Sequence, residues 1–199
     1  MRPAPADPAG LPATGGPVLN LPNALTGLRI LAVPVLIWLL ASDDPQARTW
    51  ATVVFLVAAV TDLVDGAIAR RKGQITSFGK LADPIADKAL IGTALIGLSL
   101  LGDLAWWVTV VILARELGVT ALRMWVIQHG VIPASRGGKA KTVSQVIAIG
   151  MYLYAPTSLD WWSTAAQAAM AVAIALTLIT GVDYILRAVR LRRPAVSNA

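Results

Sequence analysis

The sequence predicts an all-α integral membrane protein of six transmembrane helices. Three observations carry that reading. Of 199 residues, 56% are hydrophobic and 14% charged, outside the usual range for a soluble domain of this size. Apolar runs recur at 25–41, 49–60 (continuing towards 69), 85–101, 104–127, 143–155 and 161–186. Most approach the ~20 residues that a helix needs to cross a bilayer. Finally, the basic residues gather on one side of the spans so defined.

Residues 1–19, MRPAPADPAGLPATGGPVL, are rich in Pro, Ala and Gly and read as a disordered leader. The first apolar run starts too late, and lacks the cleavage site, for a signal peptide. The first span opens on NLPNALTGLRI, where Asn23, Thr26 and Arg29 form one polar stripe at three-residue intervals. Asn23 serves equally well as a helix cap, and Pro34 is placed to bend the span. The second span gains Asp62 and Asp65 towards its end. The third begins with Asp83, Pro84 and Asp87, with Pro84 suited to a first helical turn.

The fourth span is interrupted by Arg115 and Glu116, with Arg123 two turns beyond Glu116. Charges at that depth have to face a cavity or a partner. The fifth is short and follows ASRGGKAKTVSQ. The sixth closes with Asp183 and Arg187 four apart, a helix ion pair. Small residues in spans three and six, GTALIG and AAQAAMAVA, permit close helix packing or a dimer seam. Residues 20–190 thus form one six-helix domain, followed by a tail at 191–199.

Of 17 Lys and Arg, only Arg48 falls in the 42–48, 102–104 and 157–161 connections, where Asp43, Asp44, Asp103 and Asp160 also sit. The bias of basic residues towards the cytoplasm puts both termini and the 70–82 and 128–141 loops on that side of the inner membrane. The net +6 therefore belongs to one face, where attraction to anionic lipid accounts for the Arg187 to Arg193 cluster. Trp50, Trp106, Trp107, Trp161 and Trp162 gather near the outer ends as an aromatic belt, and Trp38 and Trp125 read as packing or boundary residues. With no cysteine, disulfides and thiolate metal sites are excluded. The single histidine, His129, cannot build a histidine metal cluster and reads as a loop residue.

Topology leaves the aspartates unexplained. Asp62 and Asp65 stand three apart on one helix, and Asp83 and Asp87 four apart on the next, so each pair shares a face. Two antiparallel helices would aim four carboxylates at one another near the membrane boundary. Four anions that close repel strongly in a low dielectric, so protons, basic side chains or a metal must neutralise them. Structural ion pairs with Arg70, Lys80 or Lys88, or a proton relay in an ion-coupled transporter, are the alternatives to catalysis. All-oxygen ligation suits Mg2+ or Mn2+ rather than zinc.

The full spacing is D-x2-D-G-x2-A-R-x8-G-x3-D-x3-D, realised as Asp62, Asp65, Gly66, Ala69, Arg70, Gly79, Asp83 and Asp87. It resembles the signature of the CDP-alcohol phosphatidyltransferases at all eight defined positions. The resemblance implies a six-helix membrane enzyme, often a homodimer, whose polar cavity opens to the cytosol. It also implies that the acids hold two divalent ions against the pyrophosphate of CDP-diacylglycerol, with CMP leaving. On that pattern Asp62, Asp65 and Asp83 are metal ligands, while Asp87 reaches the metal site and acts as general base. Gly66, Ala69 and Gly79 accommodate the nucleotide beside Asp62, and Arg70 partners a phosphate.

The acceptor alcohol is read elsewhere. Within the family, NLPNALTGLRI, the Arg115–Glu116 pair and ASRGGKAKTVSQ resemble the branch that uses glycerol 3-phosphate. Such an acceptor carries about two negative charges, which suits a pocket walled by Arg29, Arg115, Arg123, Lys139 and Lys141. The expected product is phosphatidylglycerol phosphate. The branch using inositol phosphate is the nearest rival, and the one using a lipid acceptor is third. A transporter would place its acids at the bilayer midplane between two related halves, whereas these acids gather at one boundary.

Overall fold

The computed structural model describes residues 21–72, 77–126, 136–156 and 159–192, with side chains at 24–61, 85–86, 88–122, 140–156 and 159–189. Among the described residues there are six helices and no strand: α1 (Leu21–Leu40), α2 (Ala47–Lys72), α3 (Ser77–Leu100), α4 (Trp106–Val126), α5 (Arg136–Tyr154) and α6 (Asp160–Arg192). The predicted leader, His129 and the chain beyond residue 192 lie outside the described residues.

Two helices outrun the apolar runs that foretold them. α2 continues twelve residues past Val60 to Lys72, and α3 starts eight residues before Ile85. Both aspartate pairs therefore lie in continuous helix. The expectation for Pro84 is corrected by the same extension, because this proline sits seven residues inside α3 and not in its first turn. Its missing N–H forfeits one ladder hydrogen bond, a local loss that the rest of a 24-residue helix tolerates. Pro34 likewise lies within α1 without ending it.

α3 packs against α1, α2, α4 and α5; α5 also meets α2 and α6, and α4 meets α6. The core is built of Leu36, Phe55, Leu90, Leu95, Leu98, Ile112, Ile149 and Leu153, with Ala51, Ala58, Ala94, Ala148 and Ala173 letting backbones approach. Glycines mark the tightest crossings. A Cβ on Gly97 would stand 2.5 Å from Leu40 Cδ1, and one on Gly150 3.1 Å from Leu56 Cδ2.

The distribution of polarity is inverted relative to a water-soluble bundle. Leu31, Trp38, Leu100 and Ile179 face outwards, whereas Thr26, Arg29, Lys141, Gln145 and Thr177 are buried. Trp38 is thus a surface residue rather than a packed one. Among the described residues, α6 across Asp160–Val189 is the helix long and apolar enough to cross a membrane unaided. Among the described residues, α1, α2 and α3 carry shorter apolar stretches, Ala24–Leu40, Ala47–Thr61 and Lys88–Leu100.

At one end of the bundle Arg48 gathers three elements. Its Nη1 donates to Asp103 Oδ2 at 2.6 Å, its Nε to the Leu153 carbonyl at 3.1 Å and its Nη2 to the Tyr152 carbonyl at 2.9 Å. The start of α2, the α3–α4 turn and the last turn of α5 are clasped together, and two carbonyls that α5 cannot satisfy internally gain donors. Trp162 Nε1 donates to the Met151 carbonyl at 2.9 Å and brings the start of α6 to the same end.

Candidate active site

The aspartate helices come first. α2 is unbroken through Asp62 and Asp65, and α3 through Asp83 and Asp87, so the three- and four-residue spacings put each pair on a common helix face. The two helices pack against each other. The side chains of Asp62, Asp65, Asp83 and Asp87 lie outside the described residues, as do those of Gly66, Ala69, Arg70, Gly79, Arg123 and Lys139. Arg123 stands in the last turns of α4 and Lys139 in the first turn of α5.

The level of these acids along the bundle follows from contacts that are described, because α-helices rise equally per residue. Leu40 of α1 lies beside Gly97 of α3, and the two helices run the same way; eleven residues back from each are Arg29 and Ala86. Arg29 therefore sits level with the residue before Asp87. Leu56 of α2 lies against Gly150 of antiparallel α5; nine residues towards the far end of the bundle are Asp65 and Lys141. Gly92 of α3 faces Leu113 of α4, and three residues beyond them are Ala89 and Glu116. Ala89 and Glu116 line one cavity of about 250 Å³ together with Lys88, Ile91, Leu113 and Leu117. The signature acids and the buried charges thus occupy one stratum of the bundle.

Within that stratum α4, α5 and α6 are joined by a polar network. Glu116 Oε1 accepts from Lys141 Nζ, and from Arg115 Nη1 at 3.2 Å. Arg115 Nε donates to the Thr177 carbonyl at 3.1 Å, and its Nη2 to Thr180 Oγ1 at 2.9 Å. Gly181 makes room for this arginine, since a Cβ there would stand 3.2 Å from Arg115 Cγ and 3.3 Å from its Nε. Gln145 Nε2 donates to Thr177 Oγ1 at 2.8 Å, and that hydroxyl donates to the Ala173 carbonyl at 2.6 Å. The threonine proton is thereby committed, which fixes the amide with its nitrogen towards Thr177. Among the described residues, Gln145 Oε1 is buried without a hydrogen-bond partner.

Charge is the chemically telling feature of the network. One carboxylate serves two cations, all three side chains being 15% exposed or less. Burying an excess positive charge is costly unless an anion compensates it. Two anionic sources lie at this level: the aspartates of α2 and α3, and any phosphate that enters.

The predicted acceptor wall therefore divides. Arg115 and Lys141 are brought together through Glu116, whereas Arg29 is buried in α1, which packs on the aspartate helices α2 and α3. Arg187 and Asp183 make the expected exposed ion pair, 3.0 Å apart. Thr177, Thr180 and Gly181 were not legible as site residues. Their only signal is a polar break, TLITG, after the apolar run AAMAVAIAL of the last span.

Residues 19–179 match the model of the CDP-alcohol phosphatidyltransferase family. A probable phosphatidylglycerophosphate synthase of Mycobacterium tuberculosis is 54% identical over 176 residues, covering 87% of this chain and 83% of the relative. CDP-diacylglycerol–glycerol-3-phosphate 3-phosphatidyltransferases of Rickettsia bellii and Bacillus subtilis are 38% and 36% identical, over 83% and 84% of this chain and 93% and 94% of theirs. By signature, helix order and these matches, the chain belongs to the CDP-alcohol phosphatidyltransferase family.

Proposed function

We propose that the protein transfers the phosphatidyl group of CDP-diacylglycerol to sn-glycerol 3-phosphate, giving phosphatidylglycerol phosphate and CMP. The observation that carries this reading is the shared level of the eight-position aspartate signature and the buried Arg115–Glu116–Lys141 cluster. The names of the relatives support glycerol 3-phosphate over inositol phosphate as acceptor.

Asp87 takes the proton of the acceptor hydroxyl as its oxygen attacks the phosphorus that bears diacylglycerol. A new P–O bond forms, the bond to CMP breaks, and CMP departs as the anion. Asp62, Asp65, Asp83 and Asp87 would hold two Mg2+ or Mn2+ ions, a hard-cation donor set that, when loaded, neutralises the pyrophosphate. Gly66, Ala69 and Gly79 give the nucleotide a close approach to the backbone beside Asp62, and Arg70 receives a phosphate oxygen. Arg115 and Lys141 hold the phosphate of the acceptor, with Lys139 and Arg123 towards the entrance and Arg29 on the aspartate side.

The inverted polarity of the bundle supports six membrane spans within a catalytic domain at 20–190, with the active site and both termini cytoplasmic. On this reading the protein sits in the inner membrane as a homodimer. Residues 1–19 precede the domain as a leader, and 191–199 follow it as a cytoplasmic tail.

Purified protein in detergent, given CDP-diacylglycerol, labelled glycerol 3-phosphate and Mg2+, should release CMP and label lipid. Asp87→Asn should lower the rate about 100-fold or more, the usual cost of losing a general base. Full activity in Asp87→Asn would remove the assigned base. Label entering lipid only from inositol phosphate would reassign the acceptor.

A further inference from the structure

Arg115 and Lys141 share Glu116, but they are anchored differently. The arginine has three fixed points of its own. Two are hydrogen bonds to α6, at the Thr177 carbonyl and Thr180 Oγ1, and the third is the bare surface of Gly181 beneath its stem. A planar guanidinium held at that many points keeps its orientation. Lys141 instead ends in a compact ammonium on a flexible four-carbon stem, and its Nζ meets Glu116 Oε1. Glu116 in turn lines the cavity shared with Lys88 and Ala89, the two residues that follow Asp87 on α3. It therefore stands between the lysine and the helix of the proposed base.

We propose that Glu116 is a positioning residue that fixes the Lys141 ammonium where the phosphate of the acceptor binds. The inference rests on the acceptor reading above and assigns Glu116 no contact with substrate. Through one oxygen it aligns the lysine with the arginine, so both cations meet the same phosphate from neighbouring helices. Because Arg115 keeps its α6 bonds without Glu116, loss of the carboxylate should disturb Lys141 more than the arginine. The effect should therefore appear in acceptor binding and spare the nucleotide lipid, whose ligands lie on α2 and α3.

Five proteins test this in the CMP-release assay: wild type, Glu116→Gln, Glu116→Asp, Lys141→Met and the Glu116→Gln/Lys141→Met double variant. Glu116→Gln should raise KM for glycerol 3-phosphate about tenfold, leaving KM for CDP-diacylglycerol and kcat within about twofold. Glu116→Asp, which keeps the charge, should recover at least half of that loss on a logarithmic scale. Since Glu116 acts through Lys141, the double variant should be no worse than Lys141→Met, a non-additivity that independent sites do not give.

Multiplying effects in the double variant, or equal rises in both KM values, would overturn the positioning role, the latter showing that Glu116 merely holds the fold. Equal melting temperatures in detergent check that each variant is folded. Failure of the functional reading looks different, because wild-type protein would then not turn over glycerol 3-phosphate at all.

Discussion

Two ionic clusters tie helices together about 18 Å apart along α5, the length of the twelve residues between Lys141 and Leu153. They close their charges differently. At the α1–α2 end, Arg48 meets one carboxylate and two main-chain carbonyls, the pair being 30% and 38% exposed. One cation meets one anion, and the remaining donors go to the negative end of a helix. In the stratum of the aspartates, one carboxylate serves two cations at 6% and 15% exposure. The first arrangement is complete without a ligand. Among the described residues the second sets two buried cations against one carboxylate, a pattern that the aspartates of α2 and α3 or an entering phosphate would balance. The contrast teaches that the electrostatic balance of a buried cluster, more than its mere presence, separates a fastening from a site.

The comparison breaks most directly when one cation is removed from each cluster. Lys141→Met deletes a charge-assisted contact to the acceptor phosphate, an interaction of about 1.5–3 kcal/mol, so kcat/KM for glycerol 3-phosphate should fall about 10- to 100-fold. Arg48→Met should leave the same constant within about twofold. Initial rates of CMP release over a range of glycerol 3-phosphate measure both. Comparable losses in the two variants would erase the distinction between fastening and site.

A smaller change sharpens the arginine half of the cluster. Gly181→Ala adds a methyl group at 3.2 Å from Arg115 Cγ and 3.3 Å from its Nε, closer than an ordinary contact. The arginine stem has to lift off α6 by a few tenths of an ångström, loosening its bonds to Thr177 and Thr180. KM for the acceptor should rise about threefold with little change in kcat, since a slightly displaced binding group weakens ground state and transition state alike. An unchanged KM would mean that Arg115 anchors α6 and does not meet the acceptor.

These residues also mark the boundary of what sequence could reveal. The aspartate signature was legible because its information is local: spacings of three and four become shared helix faces as soon as the helices form. The extents of α2 and α3 were less so, because apolarity marks where a helix meets lipid and not where it ends. That is also why Pro84 was assigned to a first turn. Glu116 was visible as charge inside a span and Lys141 as a basic residue just before the fifth, yet their pairing depends on the register of α4 against α5, which no spacing within either helix encodes. Arg48 appeared only as an exception to the charge bias. Its three partners lie 55 to 105 residues away and become visible only when three chain turns converge. Thr177, Thr180 and Gly181 matter through what lies across from them, so an apolar span with a few small polar residues gave no reason to single them out.

The smallest expected effect tests the fastening itself. Removing Arg48 orphans two carbonyls of the last α5 turn and leaves Asp103 without its cation, whereas Asp103→Asn keeps an acceptor for the guanidinium and removes only a charge. Because the pair is about one-third exposed, its Coulombic part is worth at most about 1 kcal/mol after solvent screening. The carbonyl bonds should therefore matter more than the ion pair. Arg48→Met should lower the melting temperature in detergent by about 3–6 °C, and Asp103→Asn by about 1–3 °C, using 2–4 °C per kcal/mol for a chain of this size. A larger loss from Asp103→Asn would reverse that order. It would place the strength of the clasp in its charges, as in the aspartate stratum, and leave exposure and surplus charge as the sole differences between the two clusters.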